Sequence, residues 1–242
     1  MGGRQIIYYE CENPSCGLRF PELREGLPRE RCPMCRGLLR NVMIITGEVN
    51  EPVLAPRVEK WPVMECLLDN IRSGLNVGAI FRTADGIGIN KLYLGGITPT
   101  PDNEAVRKTA LGAETGISWE KVNNGVNKAM QLSATGYVLW ALEATTLSDS
   151  LYTLGQNLPD QPLVMVLGNE ICGIDPGILA YCERVVSIPM VGKKRSYNVA
   201  TAFGIAASYL HYCQIFSQGS ESRLPKAKLT PCAGRTLPSG ST

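Results

Sequence analysis

The sequence predicts an α/β fold, a mostly parallel sheet with helices on both faces, preceded by a small cysteine-held module. Three observations carry this. Short apolar runs, among them residues 63–68, 137–142 and 163–167, alternate with stretches at helical spacing, the pattern of successive strand–helix–strand units. Four of the nine cysteines fall within the first 35 residues as Cys11-x4-Cys16-x15-Cys32-x2-Cys35. Between the two regions, residues 46–62 contain Pro52, Pro56 and Pro62 without periodicity and read as a linker.

Composition bounds the function classes. The chain has 242 residues and 44% hydrophobic content, enough for one ordinary domain with its own core plus a small module. There is no run of 18 apolar residues, so a membrane partner is not expected. Residues 1–10 lack the apolar centre of a signal peptide, so the protein is expected in the cytoplasm. The net charge is only +2, so any nucleic-acid surface must come from local clusters such as Lys193, Lys194 and Arg195.

The first module is predicted to span residues 1–45. Paired cysteines at this spacing form two knuckles around one tetrahedral metal, and in a reducing compartment zinc is favoured over two disulfides or four free thiols. Gly17, Pro33 and Gly37 supply the tight turns that knuckles need. A module this small buries too little apolar surface to fold unaided, so zinc held by Cys11, Cys16, Cys32 and Cys35 would be structural, with no coordination position open for chemistry. Residues 4–40 hold seven arginines and no lysine against five acids, which suits either RNA contact or a solvated face.

The larger domain is predicted over residues 63–216. A strand at 63–68 leads through a polar loop to Asn76, read as the N-cap of a helix running to about Gly86 with Arg82 on its second turn. Strands at 91–94, 117–122 and 137–142 alternate with helices at 104–113 and 125–134. The most apolar strand, 163–167, runs into Gly168-Asn169-Glu170-Ile171-Cys172-Gly173, and Asp175-Pro176 opens a short helix as cap and first residue. A strand at 185–188, stopped by Pro189, precedes a polar loop over 192–198 and a helix over 199–215. Polar loops at strand carboxyl ends are where open α/β sheets bind ligands, although Ser196 or Asn198 could be no more than a helix cap. Residues 217–242 have the composition of a disordered tail.

Three blocks in order resemble the signature of the SpoU/TrmH-type (SPOUT superfamily) RNA 2′-O-ribose methyltransferases: Asn76-Val77-Gly78-Ala79-Ile80-Phe81-Arg82-Thr83-Ala84-Asp85, Leu167-Gly168-Asn169-Glu170-Ile171-Cys172-Gly173, and Ile188 to Gly192 with Ser196-Tyr197-Asn198-Val199. The likeness covers about residues 63–216, including Thr109-Ala110-Leu111-Gly112-Ala113-Glu114. It implies a C-terminal trefoil knot, an exception to the rule that chains avoid knots, a homodimer, and RNA (tRNA or rRNA) as substrate with S-adenosylmethionine as cofactor.

The resemblance assigns Asn76, Arg82, Glu170, Ser196 and Asn198 to the catalytic site, and Leu142, Gly168, Ile188, Met190 and Tyr197 to cofactor contacts made largely through backbone. Tyr197 replaces the aliphatic residue usual in the third block, and no cysteine module belongs to the family's common core. A guanidinium is a poor base, so Arg82 is expected to hold an RNA phosphate and polarise the ribose hydroxyl while a nearby phosphate takes the proton. Asn76, Glu170, Ser196 and Asn198 would then fix Arg82 and the cofactor loop. A dinucleotide-dependent oxidoreductase is excluded because neither Gly86-Ile87-Gly88 nor Gly95-Gly96 opens a helix after a strand in the required pattern. The remaining rival is a non-catalytic RNA-binding or assembly factor with the same fold.

Overall fold

The computed structural model describes residues 4–23, 29–47, 63–154 and 158–217. These fall into two compact units, Met1–Arg57 and Val58–Thr242. The expected linker, apart from its first two residues, and the expected tail beyond Ser217 lie outside the described residues.

The first unit is a three-stranded antiparallel sheet of β1 (Arg4–Cys11), β2 (Arg19–Leu23) and β3 (Leu39–Gly47) in the order β2-β1-β3. Strand alternation puts Ile7, Tyr9 and Cys11 on one buried face, where Tyr9 stacks on Phe20 at 5.6 Å between ring centroids. With Cys32 these are the buried apolar residues of the described part of the unit, too few to offset the chain entropy of ordering it.

The second unit is a seven-stranded sheet with every pair parallel, in the order β6-β5-β4-β9-β7-β10-β8. Its strands are β4 (Met64–Asp69), β5 (Lys91–Gly95), β6 (Ser118–Val122), β7 (Val138–Leu142), β8 (Asp149–Ser150), β9 (Leu163–Leu167) and β10 (Arg184–Ser187). Its helices are α1 (Gly74–Ile87), α2 (Glu104–Ala110), α3 (Gly125–Ala134), α4 (Pro176–Leu179) and α5 (Val199–Ser217). The chain starts in mid-sheet at β4, builds outward through β5 to β6, then crosses to β7 and leaves a slot that β9 later fills. The loops after β7, β9 and β10 therefore converge at one end of the sheet, where the strand order reverses.

Both sheet faces are covered, which is why β9 reads as an unbroken apolar run. Leu163, Met165 and Leu167 face a layer that includes Phe81 of α1 and Phe203 of α5; Val164 and Val166 face a second layer with Ala129 of α3 and Ile178 of α4. Each fully buried Leu or Val is worth about 1.5–3 kcal/mol, so these two layers hold the unit without help from a ligand. Gly78 lets α1 approach α2 closely: a methyl group there would overlap Thr109 Oγ1 and the Val106 carbonyl.

Three expectations are corrected, and one strand was not foreseen. The N-cap of α1 is Ser73, whose Oγ accepts the N–H of Asn76 at 3.3 Å; Asn76 lies inside the first turn and Arg82 on the third. The helix expected over 104–113 stops at Ala110, because Leu111 and Gly112 both take left-handed backbone (φ 54° and 94°), and a 3₁₀ turn at Ala113–Thr115 follows. The strand expected over 185–188 begins and ends one residue earlier, and lies between β7 and β8. The two-residue β8 at the sheet edge is too short to leave a periodic signal.

Candidate functional site

The converging loops line one cleft of about 590 Å³ at the carboxyl ends of β7, β9 and β10. That lies in the usual range for a small-molecule site. Three segments form its wall: 142–144 after β7, 167–174 after β9, and 187–199 leading from β10 into α5. Leu142, Gly168, Ile188, Met190 and Tyr197 all line it, as do Glu170, Ser196 and Asn198. Asn76 and Arg82 do not. Among the described residues, no backbone–backbone hydrogen bond engages residues 189–197, which leaves those N–H and C=O groups available to a ligand.

Three distant parts of the chain meet at the cleft rim through one hydrogen-bonded track. Glu170 accepts the backbone N–H of Arg72 (3.0 Å) and Ser73 (3.3 Å) and the Asn76 side-chain amide (2.9 Å). The Asn76 amide oxygen in turn accepts Nδ2 of Asn198 at 3.0 Å, and Asn198 Oδ1 caps α5 through the N–H of Ala200 and Thr201. Partial burial pushes the Glu170 carboxyl up, but the donors from Arg72, Asn76 and Ser73 outweigh it and leave the pKa below its ordinary value of 4.5. Ser196 takes no part in this track. Arg82 sits on the outer surface of α1, exposed and without an ion pair among the described residues. Six helical positions separate it from Asn76, about 240° around the axis, so the two project from different faces of α1.

Two acids that sequence reasoning did not single out also shape this end of the sheet. Glu143, the residue after β7, accepts the N–H of Ile174 at 3.1 Å and lies over Gly173, which takes a left-handed φ of 77° and leaves no room for a side chain beside that carboxylate. Asp69, 2% exposed at the end of β4, accepts the N–H of Asp175 at 2.9 Å and the Asn70 amide at 2.7 Å, tying β4 to the start of α4; burial raises its pKa. A lone acid at a strand end is all the signal the sequence offers for either.

In the first unit, the ligand atoms of Cys11, Cys16, Cys32 and Cys35 all lie within 4.8 Å of one another. Cys11 Sγ is 3.4 Å from Cys35 Sγ and Cys16 Sγ is 3.8 Å from Cys32 Sγ. A tetrahedron with metal–sulfur distances near 2.3 Å has edges of about 3.8 Å, so the spacing of the four thiols is on the scale of a zinc site. The N–H of Gly37 points at Cys35 Sγ at 3.4 Å and, as the main cause, lowers that thiol's pKa to about 7, a contact that favours a thiolate.

The second unit is thus a parallel-sheet α/β protein with a ligand cleft at the point where its strand order reverses. The profile of the SpoU rRNA Methylase family matches residues 64–208, and the chain belongs to that family. It is 32% identical over 139 residues to a tRNA (guanosine(18)-2′-O)-methyltransferase of Aquifex aeolicus (strain VF5), an alignment covering 57% of this chain and 63% of the relative. It is 31% identical over 147 residues to the 23S rRNA (guanosine-2′-O-)-methyltransferase RlmB of Neisseria meningitidis serogroup B, covering 61% of this chain and 57% of the relative. The chain therefore spans about three fifths of the length of these curated relatives. Among solved structures it resembles the A. aeolicus TrmH/SpoU tRNA modifying enzyme, with a TM-score of 0.58 and 27% identity over 68% of this chain and 81% of that one. It shares its fold with the SpoU methyltransferase AviRb from Streptomyces viridochromogenes, solved in complex with AdoMet, at a TM-score of 0.56 and 21% identity over 76% of this chain and 71% of that one.

Proposed function

We propose that this protein transfers a methyl group from S-adenosylmethionine to a ribose 2′-hydroxyl in structured RNA, tRNA or rRNA. The observation that carries the reading is the Glu170–Asn76–Asn198 track, which joins one residue from each of the three sequence blocks at the rim of a single cleft. The relatives' names point to the same reaction on guanosines of tRNA and 23S rRNA. S-adenosylmethionine suits the cleft because apolar Leu142, Ile188 and Met190 can enclose the adenine while unpaired loop backbone recognises its edges. The cofactor, when bound, supplies an electrophilic methyl group.

The chain's own residues must then place a hydroxyl in line with it. Glu170, Asn76 and Asn198 hold the loops after β9 and β10 in one geometry. A guanidinium is a poor base, so the role of Arg82 is to grip a phosphate and polarise the 2′-hydroxyl, with an RNA phosphate taking the proton. Because Arg82 does not line the cleft of its own chain, a homodimer in which it borders the partner's cleft is the arrangement that would give it this role. Ser196 lines the cleft beside Asn198 and contributes a hydroxyl to the same site.

We assign one structural zinc to Cys11, Cys16, Cys32 and Cys35, residues 46–62 to a linker, 63–216 to the methyltransferase domain with its C-terminal segment threaded as a trefoil knot, and 217–242 to a disordered tail. Four reduced thiolates and an RNA substrate fit a cytoplasmic location, and no helix among the described residues is long and apolar enough to cross a membrane. The test is transfer of labelled methyl groups to unmodified total RNA, followed by identification of the modified nucleoside. Recovery of a 2′-O-methylated nucleoside supports the reading; a wild-type protein that binds RNA and transfers nothing makes it a non-catalytic RNA-binding factor.

A further inference from the structure

The cations of the second unit divide into two groups. Lys91 and Lys128 both pair with Glu120, Arg184 pairs with Asp149 and Glu183, Lys121 donates to the carbonyls of Gly96 and Thr98, and Arg107 to those of Pro101 and Asp102. Lys193, Lys194, Arg195 and the Arg72 side chain have no such partner among the described residues, and neither do Arg82 and Lys108; all six are exposed, and the first four are the ones tied by sequence or hydrogen bond to the cleft rim. The segment 187–198 that carries the first three contains no acid. Arg195 lines the cleft, and Arg72 donates its backbone N–H to Glu170, which also lines it.

Placement makes the difference meaningful. The track from Arg72 through Glu170 and Asn76 to Asn198 runs along the cleft rim, and the basic run ends three residues before Asn198. Arg72 therefore sits at one end of this hydrogen-bonded rail, and the basic run lies in the loop that leads to its other end at Asn198. Glu170, the acid nearest to them along the rail, already accepts three donors and is poorly placed to neutralise them. Consecutive uncompensated cations beside a cleft attract a polyanion, and contacts to phosphate set register and orientation along the strand without reading its sequence.

We propose that Lys193 and Lys194, with Arg72 across the rim, are phosphate-contacting residues that lay the RNA backbone flanking the target nucleotide along the cleft mouth. This rests on the RNA methyltransferase reading and adds to it the surface that positions the substrate. Arg195 is left out of the test because it also lines the cavity.

The experiment compares the full-length wild-type protein with Lys193→Ala/Lys194→Ala and Lys193→Arg/Lys194→Arg, using unmodified total RNA from the host. Binding is measured across salt concentrations, methyl transfer in parallel, and S-adenosylmethionine affinity as the check that each variant is folded. Each lost phosphate contact removes about 0.7–0.9 from the slope of log K against log salt, so the alanine pair should flatten it by about 1.5. KM for RNA should rise by about tenfold or more while cofactor affinity is held, and the arginine pair should restore the wild-type slope. An alanine pair with wild-type slope and KM in a protein that methylates RNA overturns this inference and leaves the assigned function standing. A wild-type protein that neither binds nor methylates RNA removes both. If the alanine pair loses binding to vesicles of anionic lipid but keeps its RNA affinity, the patch belongs to a membrane surface and the inference is wrong.

Discussion

The two units hold their backbones by opposite means. The first buries Ile7, Tyr9, Cys11 and Cys32, and half of that set is thiol; the second closes two apolar layers over a sheet whose central strand is wholly buried. In the first, the thiols proposed to hold zinc would be consumed in making the structure, because a four-thiolate metal shell has no open position. In the second, apolar packing does the holding, so Glu170, Asn76 and Asn198 are free to make a polar track at the rim. Reactive residue types therefore mean different things in the two units.

The largest expected effect separates them outright. Structural zinc contributes about 10–16 kcal/mol to small domains of this kind, more than the whole stability of most folds. Chelation, or Cys32→Ser, should abolish amide protection in β1 while β9 keeps its slow exchange, and elemental analysis of the untreated protein should give one zinc per chain. A Cys11–Cys35 disulfide in the mass spectrum without bound zinc would break the comparison, as would loss of β9 protection on chelation.

The same contrast explains what the sequence made legible. Cysteine spacing exposed the four-thiol cluster because knuckle geometry is local in the chain. The strands β4, β7 and β9 were legible as apolar runs, α3 from its helical spacing, α4 from its cap and α5 from its small-residue spacing, since burial on both faces leaves a pattern in the residues themselves. The strand order was not, because nothing local says that β9 slips between β4 and β7. Capping was misread at Asn76 for a related reason: Ser73 and Asn76 are both good caps by type, and only the long-range bond to Glu170 decides which is used. Glu143 and Asp69 escaped notice because each acts on backbone N–H groups from another loop. The resemblance supplied the list of site residues, and the fold gathers eight of its ten at one cleft while leaving Asn76 just behind it and Arg82 on the outer face of α1.

That outlier gives the next prediction. Arg82→Ala should lower methyl transfer by about a hundredfold, the scale of a positioned charge lost from a transition state, with S-adenosylmethionine affinity held. Arg82→Lys should rescue poorly because it loses the planar fork. Co-assembling Arg82→Ala with a Glu170→Ala chain should restore a sizeable fraction of activity, since one cleft of the mixed dimer would then have both groups intact. Failure to complement, with dimers present by light scattering, would return Arg82 to its own cleft.

A smaller effect uses the two cysteine populations. Cys172 is exposed and lines the cleft, whereas the four thiols of the first unit face one another. Saturating S-adenosylmethionine should slow alkylation of Cys172 by about tenfold, as expected for a residue covered in a pocket that buries most of its ligand. The N-terminal thiols should respond to chelator and ignore the cofactor. Peptide mapping reads both in one sample, and cofactor protection of Cys11 or Cys35 without effect on Cys172 would reverse the assignment.

The smallest effect concerns two glutamates, one in each unit, whose pKa values both lie below 4.5 for different reasons. Glu10 is held down chiefly by Arg40, 2.5 Å away in an exposed ion pair, whereas Glu170 is held down by neutral N–H donors against the cost of partial burial. For each, the folded pKa is below the unfolded one, so its stabilising contribution is complete above about 4.5 and is lost as pH falls through the folded value. Salt separates the causes, because it screens charge pairs at a surface far more than it weakens hydrogen bonds from fixed backbone dipoles. Raising ionic strength from about 50 mM to about 500 mM shortens the screening length to a few ångströms. The Glu10 pKa should then climb toward 4.5, while that of Glu170 should scarcely move. Carboxyl-carbon NMR titrations at the two salt concentrations measure each directly. A Glu170 as salt-sensitive as Glu10 would mean that a mobile charge, and not the Arg72–Asn76–Ser73 donor set, keeps it ionised, and the rim would lose the rigidity on which its role depends.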